Sequence, residues 1–126
     1  MQKTLLREEA NEQNMESWIE VCRLENITLN DGVCCLIGSD QVAVFRTGDG
    51  TEIYAISNYD PFGNANVLSR GIVGDIQGKV VVASPLYKQH FCLQTGQCLE
   101  DETVSVQSYP IRVNAGMIEI QAGLCG

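Results

Sequence analysis

An all-β fold, a sandwich or a small barrel, is predicted by three features of the chain. Short runs of β-branched and aromatic residues alternate with polar ones. Clusters of Gly, Asn and Asp divide these runs at close intervals. No long segment carries a 3.6-residue apolar period. The length of 126 residues suits one compact domain, and with 44% of residues hydrophobic and 19% charged the chain can bury a core without a metal or disulfide staple.

Residues 1–16 stand apart. They hold Glu8, Glu9, Glu12 and Glu16 but no aromatic residue and no glycine, and Leu5 and Leu6 are too few to make an apolar face. This segment is expected to be an acidic flexible or weakly helical tail. The β domain is expected over 17–122, with a short C-terminal tail at 123–126. Its first strand is 18–24, where large apolar and polar positions alternate. Helical character is confined to the tail and to 25–29. Runs at 33–37 and 41–45 flank Gly38-Ser39-Asp40, a hairpin signal. Thr47-Gly48-Asp49-Gly50 turns the chain into a strand at 52–57. Residues 79–83 read as a buried strand. Runs at 111–113 and 117–121, about Asn114-Ala115-Gly116, make a last hairpin. Between Ser57 and Glu102 lie two of the three prolines and two loop-like stretches, 58–66 and 84–91. Long ordered loops on a strand scaffold are where such folds place their function.

Sixteen acidic against eight basic side chains give a net charge of −8. That balance argues against nucleic acid or an anionic membrane surface as a partner, since both require a basic footprint. No stretch approaches the roughly 20 apolar residues of a membrane span. The N-terminal segment has no apolar run of secretory length, so the cytoplasm is the expected compartment. Cys22, Cys34, Cys35, Cys92, Cys98 and Cys125 are then expected as reduced thiols.

Several chemistries find no complete set of residues. There is one histidine, His90, and no Cys-x-x-Cys pair. Cys34 and Cys35, adjacent on a strand, point to opposite faces and cannot easily share a metal. No Gly-x-Ser-x-Gly elbow accompanies His90, which reads as a surface loop residue. No glycine-rich loop follows a strand and opens a helix. Glu100-Asp101-Glu102 reads as a solvated acidic face. Cys92 and Cys98 bracket a candidate hairpin and could approach across it as a redox-labile pair.

The two loops carry a resemblance. Ser84-Pro85-Leu86-Tyr87, followed by Phe91-Cys92-Leu93-Gln94-Thr95-Gly96, resembles the second box of Rieske iron–sulfur domains, Cys-Pro-x-His and then Phe-x-Leu-x-Thr-Gly. Asp60-Pro61-Phe62 stands where that family has Cys-Pro-His, and Leu68-Ser69-Arg70-Gly71 is similar to the segment between the boxes. The resemblance implies a Rieske-like antiparallel β-sandwich with two long loops at one tip. At the four ligand positions it places Asp60 and Ser84 for the cysteines, and Phe62 and Tyr87 for the histidines. A Rieske cluster takes two thiolates and two imidazoles. Phe62 has no lone pair, the hydroxyls of Ser84 and Tyr87 do not ionise readily near neutrality, and none of the four is a soft thiolate. The expectation is a Rieske-like scaffold with degenerate cluster positions, no metal and no cofactor of its own.

Residues 56–62, 67–71, 82–89 and 99–102 narrow the resemblance to the small subunits of bacterial assimilatory NAD(P)H-dependent nitrite reductases, over roughly 18–121. It implies a subunit with no autonomous catalytic centre. Its partner would be a large subunit that carries FAD, a [4Fe–4S] cluster and sirohaem and reduces nitrite to ammonium. Two alternatives compete with it. One is a [2Fe–2S] ferredoxin whose unconventional ligands come from Cys34, Cys35, Cys92, Cys98 and His90. The other is a thiol-redox module built on Cys92 and Cys98. If the loops keep Rieske geometry, the rings of Phe62 and Tyr87 should lie together, and Asp60 and Ser84 should come within hydrogen-bond reach. Lys88, Gln89 and His90, with the 58–66 loop, are the candidate contacts to the large subunit.

Overall fold

A computed structural model describes residues 18–121. The tails expected at 1–16 and 123–126 lie outside the described residues. The strands follow in chain order: β1 (Trp18–Arg23), β2 (Asp31–Ile37), β3 (Asp40–Thr47), β4 (Glu52–Ser57), β5 (Tyr59–Asp60), β6 (Ala65–Asn66), β7 (Ile72–Ile76), β8 (Lys79–Ala83), β9 (His90–Cys92), β10 (Ile111–Asn114) and β11 (Met117–Gln121). They form three antiparallel three-stranded sheets, ordered β1-β11-β10, β2-β3-β4 and β7-β8-β9, plus the short β5–β6 ladder. The all-β reading holds. Among the described residues no helix is long and apolar enough to cross a membrane.

The period-2 geometry of β3 explains how the sheets assemble. Val42, Ala43, Val44 and Phe45 are all fully buried. Val42 and Val44 enter one core with Ile27, Ala55, Tyr109, Ile118 and Ile120. Ala43 and Phe45 enter a second with Ile56, Leu68, Val82, Phe91 and Leu93. The central sheet is therefore covered on both faces, which is why β3 reads as a nearly continuous apolar run.

Several local expectations are revised. The helical character expected at 25–29 is a single 3-10 turn at Leu24–Asn26, and Ile27 leaves it extended to plug the first core. β7 carries Gly74 and Asp75 and buries none of its residues. It is a strand because β8 pairs with it from Ile72↔Ala83 to Ile76↔Lys79. His90 is not a surface loop residue. It opens β9 opposite Ala83 and is half-buried, because the chain rejoins the sheet at residue 90, inside the stretch 84–91 expected as a loop.

Two arginines tie segments together. The Arg46 guanidinium donates to the carbonyls of Gly50 at 2.8 Å, Ile27 at 3.0 Å and Leu24 at 3.3 Å. Arg112 donates to buried Glu119 at 2.6 Å while its guanidinium carbon lies 4.1 Å from the centre of the Trp18 ring. Replacing Arg46 orphans three carbonyls in a part-buried junction. Arg46→Ala is expected to lower stability by about 1–2 kcal/mol, read as an earlier urea midpoint at unchanged slope.

Candidate functional site

The two loops between β4 and β9 meet at one end of the domain. The first is organised by Asn58, which is buried. Its backbone N–H donates to the Gln41 carbonyl at 3.0 Å and its carbonyl accepts from Leu68 N–H at 3.0 Å. Its side-chain Oδ1 accepts from Ser69 N–H at 2.7 Å, and Nδ2 donates to Gln41 Oε1 at 3.1 Å. One amide thereby joins the loop to β3 and to the 3-10 turn Leu68–Arg70.

Asp60 is fully buried. Its Oδ1 accepts from Phe62 N–H at 2.8 Å and Gly63 N–H at 3.2 Å, an arrangement Asp favours because its short carboxylate reaches backbone two residues ahead. Its Oδ2 accepts a hydrogen bond from the Ser84 hydroxyl, which in turn accepts from Leu86 N–H at 3.2 Å. The second loop closes on Ser84 as well: Ser84 N–H donates to Gln89 O at 2.9 Å, and Lys88 N–H donates to Ser84 O at 3.1 Å, with Lys88 at φ 69°. Gly63 abuts the Leu86 side chain, so closely that a Cβ at 63 would collide with it. The two loops are stapled by one buried carboxylate–hydroxyl contact and one glycine-to-leucine approach.

The expected pairing of the Phe62 and Tyr87 rings does not form. Phe62 turns inward, its ring centre 6.2 Å from that of Phe91 and tilted by 47°, beside the second core. Tyr87 points out and is 64% exposed. Burial explains the split: Phe62 has an apolar wall within reach, whereas Tyr87 sits on a tight turn closed beneath it by the Ser84–Lys88 bond.

Residues 17–121 match the family of Rieske-like [2Fe-2S] domains. The small subunit of the NADH nitrite reductase of Escherichia coli K12 is 45% identical over 107 residues, covering 85% of this chain and 99% of that protein. The solution structure of the nitrite reductase [NAD(P)H] small subunit from Erwinia carotovora is 49% identical, covers 84% of this chain and 82% of that one, and superposes with a TM-score of 0.73. The chain belongs to the nitrite reductase small subunits. A nitrite reductase [NAD(P)H] large subunit from Klebsiella oxytoca also contains a similar stretch, 39% identical over 101 residues, which makes up 10% of that larger protein.

The family's name implies a [2Fe–2S] cluster, and this small subunit's residues do not fit one. Asp60 Oδ1 is engaged by two loop N–H groups and Oδ2 by the Ser84 hydroxyl, and neither residue offers a thiolate. Phe62 faces a hydrocarbon wall, and Tyr87 leaves the space between the loops. Nor, among the described residues, are Cys34, Cys35, Cys92, Cys98 and His90 brought together as a substitute set. Among the described residues no group of three or more His, Cys, Asp or Glu side chains is placed to hold a metal ion. Cys34 is exposed on β2. Cys35 lies on the other face beside Cys22, where burial first, and the neighbouring thiols second, push it up to about 12. Cys92 and Cys98 are both buried free thiols. Phe91 stands opposite Cys98, and Cys92 N–H donates to Gln97 O at 2.8 Å, so the two cysteines point to opposite faces of their turn. The redox pair expected there is not built. Burial works to raise Cys92, but hydrogen bonds from Thr95 and Gln94, with Lys79 nearby, outweigh it and lower the thiol's pKa.

The candidate contact residues divide. Lys88 is exposed, Gln89 is half-buried with Oε1 sealed from solvent and unpartnered, and His90 is half-buried. His90 Nδ1 lies 2.6 Å from Glu100 Oε2, and His90 N–H donates to Glu100 Oε1 at 2.8 Å. Glu100 is thus not simply solvated. Burial pushes its carboxyl up, and the bonds from His90 bring it below its usual range. Asn58 was not singled out by sequence reasoning, although Asn beside a strand end is a known organiser of turns. Nothing local in the sequence pairs it with Ser69 or Gln41, which lie 11 and 17 residues away.

Proposed function

We propose that this chain is the non-catalytic small subunit of a cytoplasmic NAD(P)H-dependent nitrite reductase, reducing nitrite to ammonium, and that it acts by docking on the large subunit. FAD, a [4Fe–4S] cluster and sirohaem belong to that large subunit, and no redox centre belongs to this chain. One observation carries the reading: the four positions that would grip an inorganic cluster are filled by a carboxylate–hydroxyl staple, an inward phenyl ring and an outward phenol. A loop pair held this firmly with no chemistry between its arms serves recognition. The Klebsiella oxytoca relative, in which a similar stretch is part of the large subunit's own chain, supports one small subunit per large subunit. Lys88, Gln89 and His90 belong to the docking end in this reading, Lys88 as a contact and the other two as its support.

The test is reconstitution. Purified large subunit is assayed for nitrite-dependent NAD(P)H oxidation with and without this chain, and this chain alone is analysed for iron. Activity that rises on addition and saturates near equimolar chain, with no stoichiometric iron, supports the role. Stoichiometric iron with visible charge-transfer absorption in this chain would replace it with an electron-transfer ferredoxin.

A further inference from the structure

The end of the domain that bears the two loops differs from the rest of its surface in both hydrophobicity and charge. Tyr59 in the first loop is 38% exposed, and Leu86 and Tyr87 in the second are 45% and 64% exposed. Ile72, opposite Ala83 at the root of the second loop, is 75% exposed. Scattered exposed apolar residues are ordinary, but four of the seven exposed large apolar residues among the described residues lie on these two loops or at their root, a concentration of the kind that marks a contact surface. Tyrosine is the residue type most suited to such a surface, because it adds a large area at little conformational cost.

The two loops themselves carry a different charge from the chain as a whole, with Glu100, held by His90, bordering them at the foot of the second loop. The chain as a whole carries −8. In the segments 57–71 and 84–89 the charged side chains are Asp60, Arg70 and Lys88. Asp60 is buried and engaged by Ser84, so the two that reach solvent are both cations. Among the described residues neither makes an ion pair. An acidic partner surface is disfavoured by the net charge of the chain and is met here by two exposed cations, which helps set orientation as well as place.

Resting on the proposed function, we propose that Tyr59, Leu86, Tyr87 and Ile72, flanked by Arg70 and Lys88, form the surface that seats on the nitrite reductase large subunit, in an apolar hollow rimmed by carboxylates. The staple beneath the loops keeps them in the bound shape before contact, so little ordering is required on association. Tyr87, which leaves the space between the loops and is the more exposed of the two tyrosines, projects as the central anchor.

The experiment measures binding of the full chain to the large subunit by titration calorimetry at low and moderate salt. The variants are Leu86→Glu with Tyr87→Glu, Arg70→Glu with Lys88→Glu, and Val113→Glu as a control on β10. All five positions are exposed, and an unchanged melting temperature confirms that each variant is folded. At least a tenfold weaker affinity is expected for the two loop variants, with a shallower salt dependence for the charge reversals, and no change for Val113→Glu. If the native chain binds and the loop variants bind as well as it does, the surface lies elsewhere and the inference is overturned while the subunit role stands. If the native chain itself does not bind the large subunit, the proposed function falls and takes this inference with it.

Discussion

Ser84→Ala is expected to lower the stability of the domain by about 2–3 kcal/mol, a large effect for the loss of one oxygen atom. The reason is the asymmetry of buried hydrogen bonds: removing one partner leaves the other desolvated and unpaired. Here the group left behind is the Oδ2 of a fully buried carboxylate. For a domain of this size the change corresponds to a fall in melting temperature of about 10 °C or more. The pair can be separated from its surroundings with a double-mutant cycle. Asp60→Ala alone is expected to cost more than Ser84→Ala, because Phe62 N–H and Gly63 N–H lose their acceptor too. The double variant should cost clearly less than the sum of the two. Strictly additive costs would mean that the carboxylate and hydroxyl do not act as a unit and that the loops are held together by something other than this contact.

Asn58→Ala is expected to have an effect of similar size, about 2–3 kcal/mol, for a different reason. The side chain contributes an acceptor to Ser69 N–H and a donor to Gln41 Oε1 from a site closed to solvent. Truncation leaves Ser69 N–H without its acceptor, leaves Gln41 Oε1 with only the Cys34 thiol, and opens a small void. Asn58→Asp discriminates between packing and hydrogen bonding: it keeps the volume and the acceptor for Ser69 but loses the donor to Gln41. The buried carboxylate also faces Gln41 Oε1, so its cost should be at least that of Asn58→Ala. Amide hydrogen exchange gives a local check. In Asn58→Ala, Ser69 should lose protection well before the β3 strand does, since its acceptor is the Asn58 side chain. Equal loss across the whole domain would show that Asn58 stabilises the core rather than the loop junction.

Arg46 clamps a junction on the opposite side of the central sheet, and its loss should leave the two loops as they are. Comparing the three positions therefore separates global stability from the shape of the docking end. Loop variants should weaken association with the large subunit beyond what their stability alone explains, whereas Arg46→Ala should not.

How much of this was legible beforehand depends on how far apart the interacting groups lie in the chain. Strands β4, β8 and β11 begin and end where alternation and turn residues place them, because those signals act over a few neighbouring residues. The vacated ligand positions were equally plain, since Asp60, Phe62, Ser84 and Tyr87 can be judged as donors from side-chain chemistry alone. The proximity of Asp60 to Ser84 was also anticipated, through the resemblance of the loops to a known scaffold, and the two are in contact.

What the chain left open was settled by contacts between distant segments. β7 is a strand because β8 lies beside it, not because of its own glycine and aspartate. Phe62 found Phe91 rather than Tyr87 because an apolar wall outweighs an exposed ring for an aromatic side chain. His90 found Glu100 through the register of the third sheet. Local chemistry determined which residues lack the thiolate and imidazole donors of a Rieske cluster and where most strands run. Only the packed structure decided which of them face each other, because burial free energy depends on surfaces that no short window of sequence contains.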